Sequence, residues 1–364
     1  VYNIRRKAED ALYPRPFAQI QERQMVKKRI LTGDRPTGRL HLGHYIGSLQ
    51  NRVKMQKDYD TFIIIADVQA LTTNWDNPDK LAHDVREVAK DNLAAGIDPE
   101  NATLFVQSMV PSIAELTVFY SMFVSVNVLR HNPTIKTEAA QHGFTDMTYG
   151  FLGYPVSQAA DITFCKAHLV PIGKDNVPHV ELTRKIVRRF NQLYGEVLVE
   201  PEMAVQETLV GLDGNAKMSK SLDNAIYLTD SPEEVARKIR VAITDPARIY
   251  KDYPGHPEVC TVFTYHQQFS GEFVSELEPA CRRGVIGCVE CKKRLTDCIN
   301  ALLDPIRERR AFYDAHPDIV DDILQAGTAK AIEVGAETLA QVKDAMKISY
   351  FDKQGAPNVE CILS

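Results

Sequence analysis

The chain has no apolar run long enough to cross a bilayer. Stretches such as TFIIIA and TVFYSMFVSV fall far short of the roughly 18 residues that a spanning helix needs, which excludes a helical membrane protein. The opening residues, VYNIRRKAEDALYPRPFAQIQERQ, lack the continuous apolar core of a secretory signal, so a cytoplasmic location is expected. Internal repeats and low-complexity tracts are missing as well, and solenoids and disordered arrays go with them. There is no basic excess: 43 Lys and Arg stand against 48 Asp and Glu, a net charge of −5. That balance argues against nucleic-acid binding over the whole surface, but the basic residues are clustered. RKIVRRF (184–190), CRRG (281–284), CKKRL (291–295) and RERR (307–310) are local positive patches, and only the local field meets a phosphate backbone. Seven cysteines in a reducing compartment do not make a disulfide framework. They leave burial or metal ligation.

What is present is an ordinary globular composition. At 364 residues, 44% hydrophobic and 25% charged, the chain can build two domains, each with its own core. KRILTG reads as a buried strand, followed by a loop holding Pro36 and Gly38. HLGHYIGSLQNRVKMQ then shows helical spacing at Leu42, Ile46, Leu49 and Val53. A second strand (TFIIIADV), a helix closed by Gly96 and a third strand (ATLFVQS) follow. Strands alternating with helices at this spacing make βαβ units, hence an α/β, Rossmann-like domain on a parallel sheet. Beyond about residue 228 the segments SPEEVARKIRVAI, GEFVSELEPACRRG, CKKRLTDCINALLDPIRERRAFYDA and GAETLAQVKDAMK are helical with almost no strand signal. The expected organisation is an extension of no assigned role (1–26), the Rossmann-like domain (27–227), an α-helical domain (228–347) and a tail (348–364).

Two short segments carry the chemistry. In GRLHLGHYIGS (38–48), His41 and His44 stand at a helix start beyond the first strand, where free amides and a positive dipole end favour phosphate. The pair can donate hydrogen bonds to phosphate oxygens, and Gly43 lets a base or ribose approach the backbone. Alone, the motif could equally be a helix cap or part of a metal site. In GLDGNAKMSKSLDN (211–224), Lys217 and Lys220 sit with Ser219 and Ser221 on a polar loop suited to charge building on a leaving pyrophosphate. Alone, it could be a surface turn. Together, H-x-G-H after the first strand and K-M-S-K-S after the last resemble the two signatures of class I aminoacyl-tRNA synthetases. The resemblance implies ATP and Mg2+ as reactants. It also implies that His41, His44 and the second lysine, Lys220, stabilise the pentavalent phosphate when an amino acid carboxylate attacks the α-phosphate, with Lys217 beside them as a further catalytic candidate.

The stretch GYPVSQAADITFCKAHLVPIGKDNVPHVELTRKIVRRFN (153–191) resembles the tryptophanyl branch of that family almost throughout. By that resemblance Asp161 accepts the indole N–H, with Tyr154 two helical turns earlier on the same face and Gln158 between them. Gln107 lies near the tryptophan carboxylate, and Asp175 and Asn176 hold its amino end. ATP is met by Arg35, Pro36, Thr37, Gly43, His44, Gly173, Lys174, Asp175 and Thr208, and by Lys217, Met218, Ser219, Lys220 and Ser221 of the lysine loop. Gln158 stands where many relatives have methionine, and Y-x-x-x-Q-x-x-D is also how tyrosyl enzymes hold a phenol. A tyrosine-specific enzyme, or a non-catalytic paralogue binding tRNA or a protein, is therefore the alternative. The resemblance implies L-tryptophan and tRNA(Trp) as partners, an anticodon-binding role for the helical domain, and a homodimer. The apolar segment LTVFYSMFVSVNVL (116–129), read as one helix, fits a dimer face or internal core.

Cys260, Cys281, Cys288 and Cys291 are spaced C-x20-C-x6-C-x2-C in the helical region. Four buried free thiols would be unremarkable, yet a C-x-x-C pair opening a helix can gather thiolates round one centre. Zinc and a [4Fe-4S] cluster take the same ligand set, and spacing does not choose between them. The pattern resembles that of a subset of tryptophanyl enzymes with a [4Fe-4S] cluster beside the anticodon-binding surface. That implies a structural centre which directs Arg282, Arg283, Lys292, Lys293 and Arg294 at RNA.

Overall fold

The computed structural model describes residues 27–214 and 217–351. The expected extension (1–26), residues 352–364 of the tail with Cys361, and the side chain of Ser221 lie outside the described residues.

Five strands form one parallel sheet in the order β3-β2-β1-β4-β5: β1 (Arg29–Asp34), β2 (Asp60–Ile65), β3 (Ala102–Val106), β4 (Leu169–Ile172) and β5 (Glu202–Val205). Ile30, Phe62, Ile63, Ile65 and Phe105 are fully buried, as strands covered on both faces require. The order reverses at β1, so the crevice beyond the carboxyl ends of β1 and β4 is the topological switch point where ligands bind. Gly33 lies in β1 because a Cβ there would stand 2.2 Å from the Ile64 carbonyl oxygen of the neighbouring strand.

After β1, helix α1 runs in three pieces, Leu42–His44, a π-helical Tyr45–Leu49 and Gln50–Met55. Leu42, Ile46 and Leu49 are buried as their spacing predicts. Arg52 is buried too, a charge inside an apolar face. Its guanidinium holds Asp34 at 2.5 and 3.1 Å, Asn92 Oδ1 at 2.9 Å and the Gly33 carbonyl at 2.9 Å. Helices α2 (Asp67–Asn74) and α3 (Leu81–Ala95) follow, the latter ended by Gly96 in the left-handed region at φ +113°.

The segment 116–129 is not one helix. It divides into α4 (Pro111–Ser121) and α5 (Val126–Arg130), the second restarted where the Ser125 hydroxyl caps the Val128 N–H. Then come α6 (Pro133–His142), α7 (Tyr149–Thr163) and α8 (Val177–Tyr194). The helical region supplies α9 (Pro232–Val241), α10 (Thr261–Phe269), α11 (Val274–Arg282), α12 (Cys288–Ala315) and α13 (Pro317–Ala345). Helix α13 returns to the sheet. Gly327 lies so close to β3 that a Cβ would stand 2.0 Å from the Leu104 oxygen, and Thr328 accepts the Val106 N–H at 3.2 Å.

Candidate active site

His41 is the N-cap of α1, in extended conformation, and its Nδ1 accepts the Gly43 N–H at 3.1 Å. His44 returns the bond, its Nδ1 accepting the His41 N–H at 3.2 Å. This reciprocal box fixes both tautomers: with each Nδ1 accepting, each proton sits on Nε2 and is free to donate. The rings lie 3.9 Å apart. Burial, reinforced by His44 and by Lys220 and Lys217, pushes His41 down to about 2. Burial takes His44 to about 4, against the pull of Asp34. Both are therefore neutral donors at pH 7. Gly43 has a further reason to be glycine, because a Cβ would stand 2.9 Å from the His41 ring and 3.2 Å from Met218 Cβ.

The lysine loop closes over the same spot. Met218 Sδ approaches the Gly43 N–H at 3.2 Å, and Lys220 Nζ donates to the carbonyls of Thr37 at 3.1 Å and Gly38 at 2.7 Å. Lys217 pairs with Asp175 at 3.4 Å. Burial holds the Lys220 ammonium below its ordinary range, although Asp84, Asp91 and Asp34 oppose the shift. Asn224, assigned no role from sequence, holds the loop shut: its Oδ1 accepts the Ser219 N–H at 2.8 Å and its amide donates to Asp213 at 3.1 Å. Residues 175, 217 and 220 thus meet Arg35–Gly38 and the histidine pair across one crevice. Lys174, Val205, Gln206, Glu207 and Thr208 line an open hollow on its β5 side.

Tyr154 and Asp161 are both buried on α7. Gln107 donates to both Asp161 oxygens at 2.8 and 2.9 Å, and its own oxygen accepts the Gln69 N–H at 3.1 Å. Burial raises Asp161 to about 7, with Gln107 opposing and the charge of Asp67 assisting. Expected near the substrate carboxylate, Gln107 is thus bonded to Asp161. Tyr154 Oη donates to Glu138 at 2.8 Å and lies 2.9 Å from His179 Nε2. Since the phenol has one proton, His179 Nε2–H must donate to it, leaving Nδ1 to accept from Asn132 at 3.4 Å. Burial lowers His179 to about 4, keeping that ring neutral. Sequence reasoning assigned nothing to Glu138, His179 or Asn132. His179 was within reach, one turn past Asn176 in VPIGKDNVPH, whereas Glu138 lies in no motif. Gln158 donates to Asn176 Oδ1 at 3.3 Å, while its own Oε1 is buried without a partner.

At the far end of the helical region, Cys260, Cys281, Cys288 and Cys291 line one cavity together with Asp245 and Arg248. Cys288 opens α12 and Cys260 precedes α10. Arg248 Nη1 approaches Cys281 Sγ at 3.7 Å, and its Nε is buried without a partner. Gly255 makes room for the same sulfur, since a Cβ would stand 2.6 Å from it. Burial, and then the neighbouring cysteines, push the Cys291 thiol up to about 12. Among the described residues no group of three or more His, Cys, Asp or Glu is arranged to hold a metal ion.

The family described as tRNA synthetases class I (W and Y) matches residues 24–304. A tryptophan–tRNA ligase of Lactococcus lactis is 49% identical over 340 residues, covering 90% of this chain and 100% of its own length. One from Clostridium longisporum is 48% identical over 338 residues, covering 90% and 99%. Among solved structures, a Campylobacter jejuni tryptophanyl-tRNA synthetase complexed with ADP and tryptophan superposes with a TM-score of 0.78 at 30% identity, covering 87% of this chain and 99% of that one.

Proposed function

The chain belongs to the class I tRNA synthetases of tryptophan and tyrosine, and from that premise we propose how its crevice makes tryptophanyl-adenylate. The activity itself is that of a tryptophan–tRNA ligase, which joins L-tryptophan to tRNA(Trp) with ATP. The tryptophan carboxylate oxygen attacks the α-phosphorus, a P–O bond forms, and the bond to the pyrophosphate oxygen breaks. His41 and His44 give their Nε2 protons as hydrogen bonds to the α-phosphate oxygens. Lys220 and Lys217 take up the charge growing on pyrophosphate, and Mg2+ travels with the ATP phosphates. A terminal ribose hydroxyl of tRNA then attacks the acyl carbon and adenylate leaves. No side chain becomes covalently attached; catalysis is positioning and charge stabilisation. The observation that carries this reading is the reciprocal histidine box, which leaves two adjacent neutral donors beside the lysine loop.

The remaining site residues take roles about that centre. Arg35, Pro36, Thr37, Gly43, Gly173, Lys174 and Thr208, with Met218, Ser219 and Ser221 of the lysine loop, surround ATP. Asp161 accepts the indole N–H on a buried carboxylate. Gln158 offers its unpaired Oε1 to the α-ammonium, with Tyr154, Asp175 and Asn176 beside it. ATP–pyrophosphate exchange with each amino acid tests the specificity. Exchange with tryptophan alone is expected, and equal or faster exchange with tyrosine contradicts the pocket.

The four-cysteine cavity is read as the seat of a [4Fe-4S] cluster. The reading is supported by four cysteines lining one cavity, by the half-buried Arg248 guanidinium approaching the Cys281 sulfur, and by Gly255, which leaves room beside that sulfur. A single zinc needs all four sulfurs within about 2.3 Å of one point, whereas a cubane takes one thiolate at each of four corners. When bound, the cluster supplies a rigid anchor with no part in the reaction, and the anticodon loop meets the basic residues about it. The dimer partner is a second copy of this chain. It would cover the exposed apolar side chains of Val118, Met122, Val126 and Val128 around the α4–α5 break.

A further inference from the structure

Helix α12 leaves the cysteine cavity at Cys288 and, about 33 Å further along its axis, delivers Arg310 beneath the histidine motif. Arg310 is 4% exposed, and the carboxylates it meets on α3, Asp91 and Glu87, are 1% and 5% exposed. Its Nη1 donates to Asp91 Oδ1, its Nη2 to Glu87 Oε2 at 2.6 Å, and its Nε to Asp314 at 3.1 Å. The other oxygen of Asp91 accepts the backbone N–H of Leu40 at 2.7 Å, one residue before His41. One turn earlier on α3, Glu87 also accepts from Arg39 Nε at 3.2 Å. Helix α3 fastens the beginning of the same loop as well, through Asn92 donating to Asp34 at 3.2 Å.

A buried ion cluster of this kind adds little net stability, because desolvation offsets most of the attraction. What it specifies is position. The loop from Asp34 to Leu40 is thereby tied at both ends to α3, and at its histidine end α3 is tied to α12. None of Arg310, Asp91 and Glu87 is among the groups read as touching substrate.

We propose that Asp91 and Arg310 are positioning residues for adenylate formation, setting His41 and His44 by the seating of α12 and so making the catalytic loop answer to the helical region. The proposal rests on the reading of the histidines as phosphate donors, which His44→Asn tests separately in the same assay. A misplacement of about 1 Å at a reacting centre costs on the order of 100-fold in rate, so a loosened strut need not expose or remove any group to be felt.

The experiment is single-turnover adenylate formation at saturating ATP over a range of tryptophan concentrations, with far-UV circular dichroism and melting as controls on folding. Arg310→Met removes the cation and keeps the bulk. Asp91→Asn keeps an acceptor for the Leu40 N–H and loses the ion pair, and it carries the test if the first variant does not fold. Each is expected to lower the rate constant by about tenfold or more with the tryptophan KM within about twofold, the split that marks a transition-state effect. Arg310→Lys should recover part of the loss, and the double variant should be no slower than the slower single one. The control is Arg86→Met, which breaks the exposed Arg86–Asp321 pair between α3 and α13 and should leave the rate unchanged. Folded Arg310→Met and Asp91→Asn enzymes with the full rate constant overturn the proposal, as does an equal loss from Arg86→Met. If His44→Asn retains full activity, it is the reading of the histidines that fails.

Discussion

Single residues in this site are tuned by burial more than by neighbouring charge. Asp161 is the sharpest case, its carboxyl raised to about 7 in a pocket where, among the described residues, Gln107 donates to it. A carboxylate accepts an indole N–H better when ionised, so the tryptophan KM should fall as pH rises through about 7. Asp161→Asn should flatten that dependence, and Asp161→Ala should raise the KM by about 10- to 100-fold. A KM flat with pH in the unmodified enzyme would contradict this. Folding runs the other way: with the folded pKa above the unfolded value of 3.8, this group's contribution is full below about 4 and is lost as pH rises through about 7. The neutral His41 and His44 oppose it, since their folded values lie below 6.5 and stability falls as pH drops through the window between. The identity of these residues was legible in the sequence. Their protonation was not, because it depends on what covers them.

Among the elements, those defined by local pattern were legible and those defined by distant partners were not. Alternating apolar strands and helices announced the β1–α1–β2–α3–β3 succession, and Gly96 its helix end. The break between α4 and α5 escaped because an unbroken apolar run hides a turn made by Ser125. Arg310 belongs to RERR, a positive patch by sequence, yet its guanidinium is buried against Glu87 and Asp91, more than two hundred residues earlier in the chain. The C-x-x-C pair at the start of α12 was visible, but the cavity it shares with Cys260 and Cys281 needed the fold. At this scale the prediction concerns that helix: anaerobically purified protein should be brown and contain about four irons per chain. Removing the iron should lower the melting temperature, because the four thiols held together by the metal lose their bonds. Colourless protein with one zinc, or with no metal, would contradict the assignment.

In the whole molecule, one crevice gathers Arg35–Gly38, the histidine pair, the pocket on α7 and a lysine loop well over a hundred residues later in the chain. The two signature segments were recognisable separately, and their docking through Met218 and Lys220 is a property of the parallel sheet that brings β1 and β5 to the same side. A second copy on the α4–α5 face should make the working enzyme a dimer by light scattering, and a fully active monomer would contradict that. The central claim is that the loop acts on charge developing at the leaving pyrophosphate, and single-turnover adenylate formation by Lys220→Ala tests it most directly. The rate constant should fall by about 100-fold or more while the KM for ATP stays within about threefold. An unchanged rate constant with a large loss of ATP affinity would contradict the account.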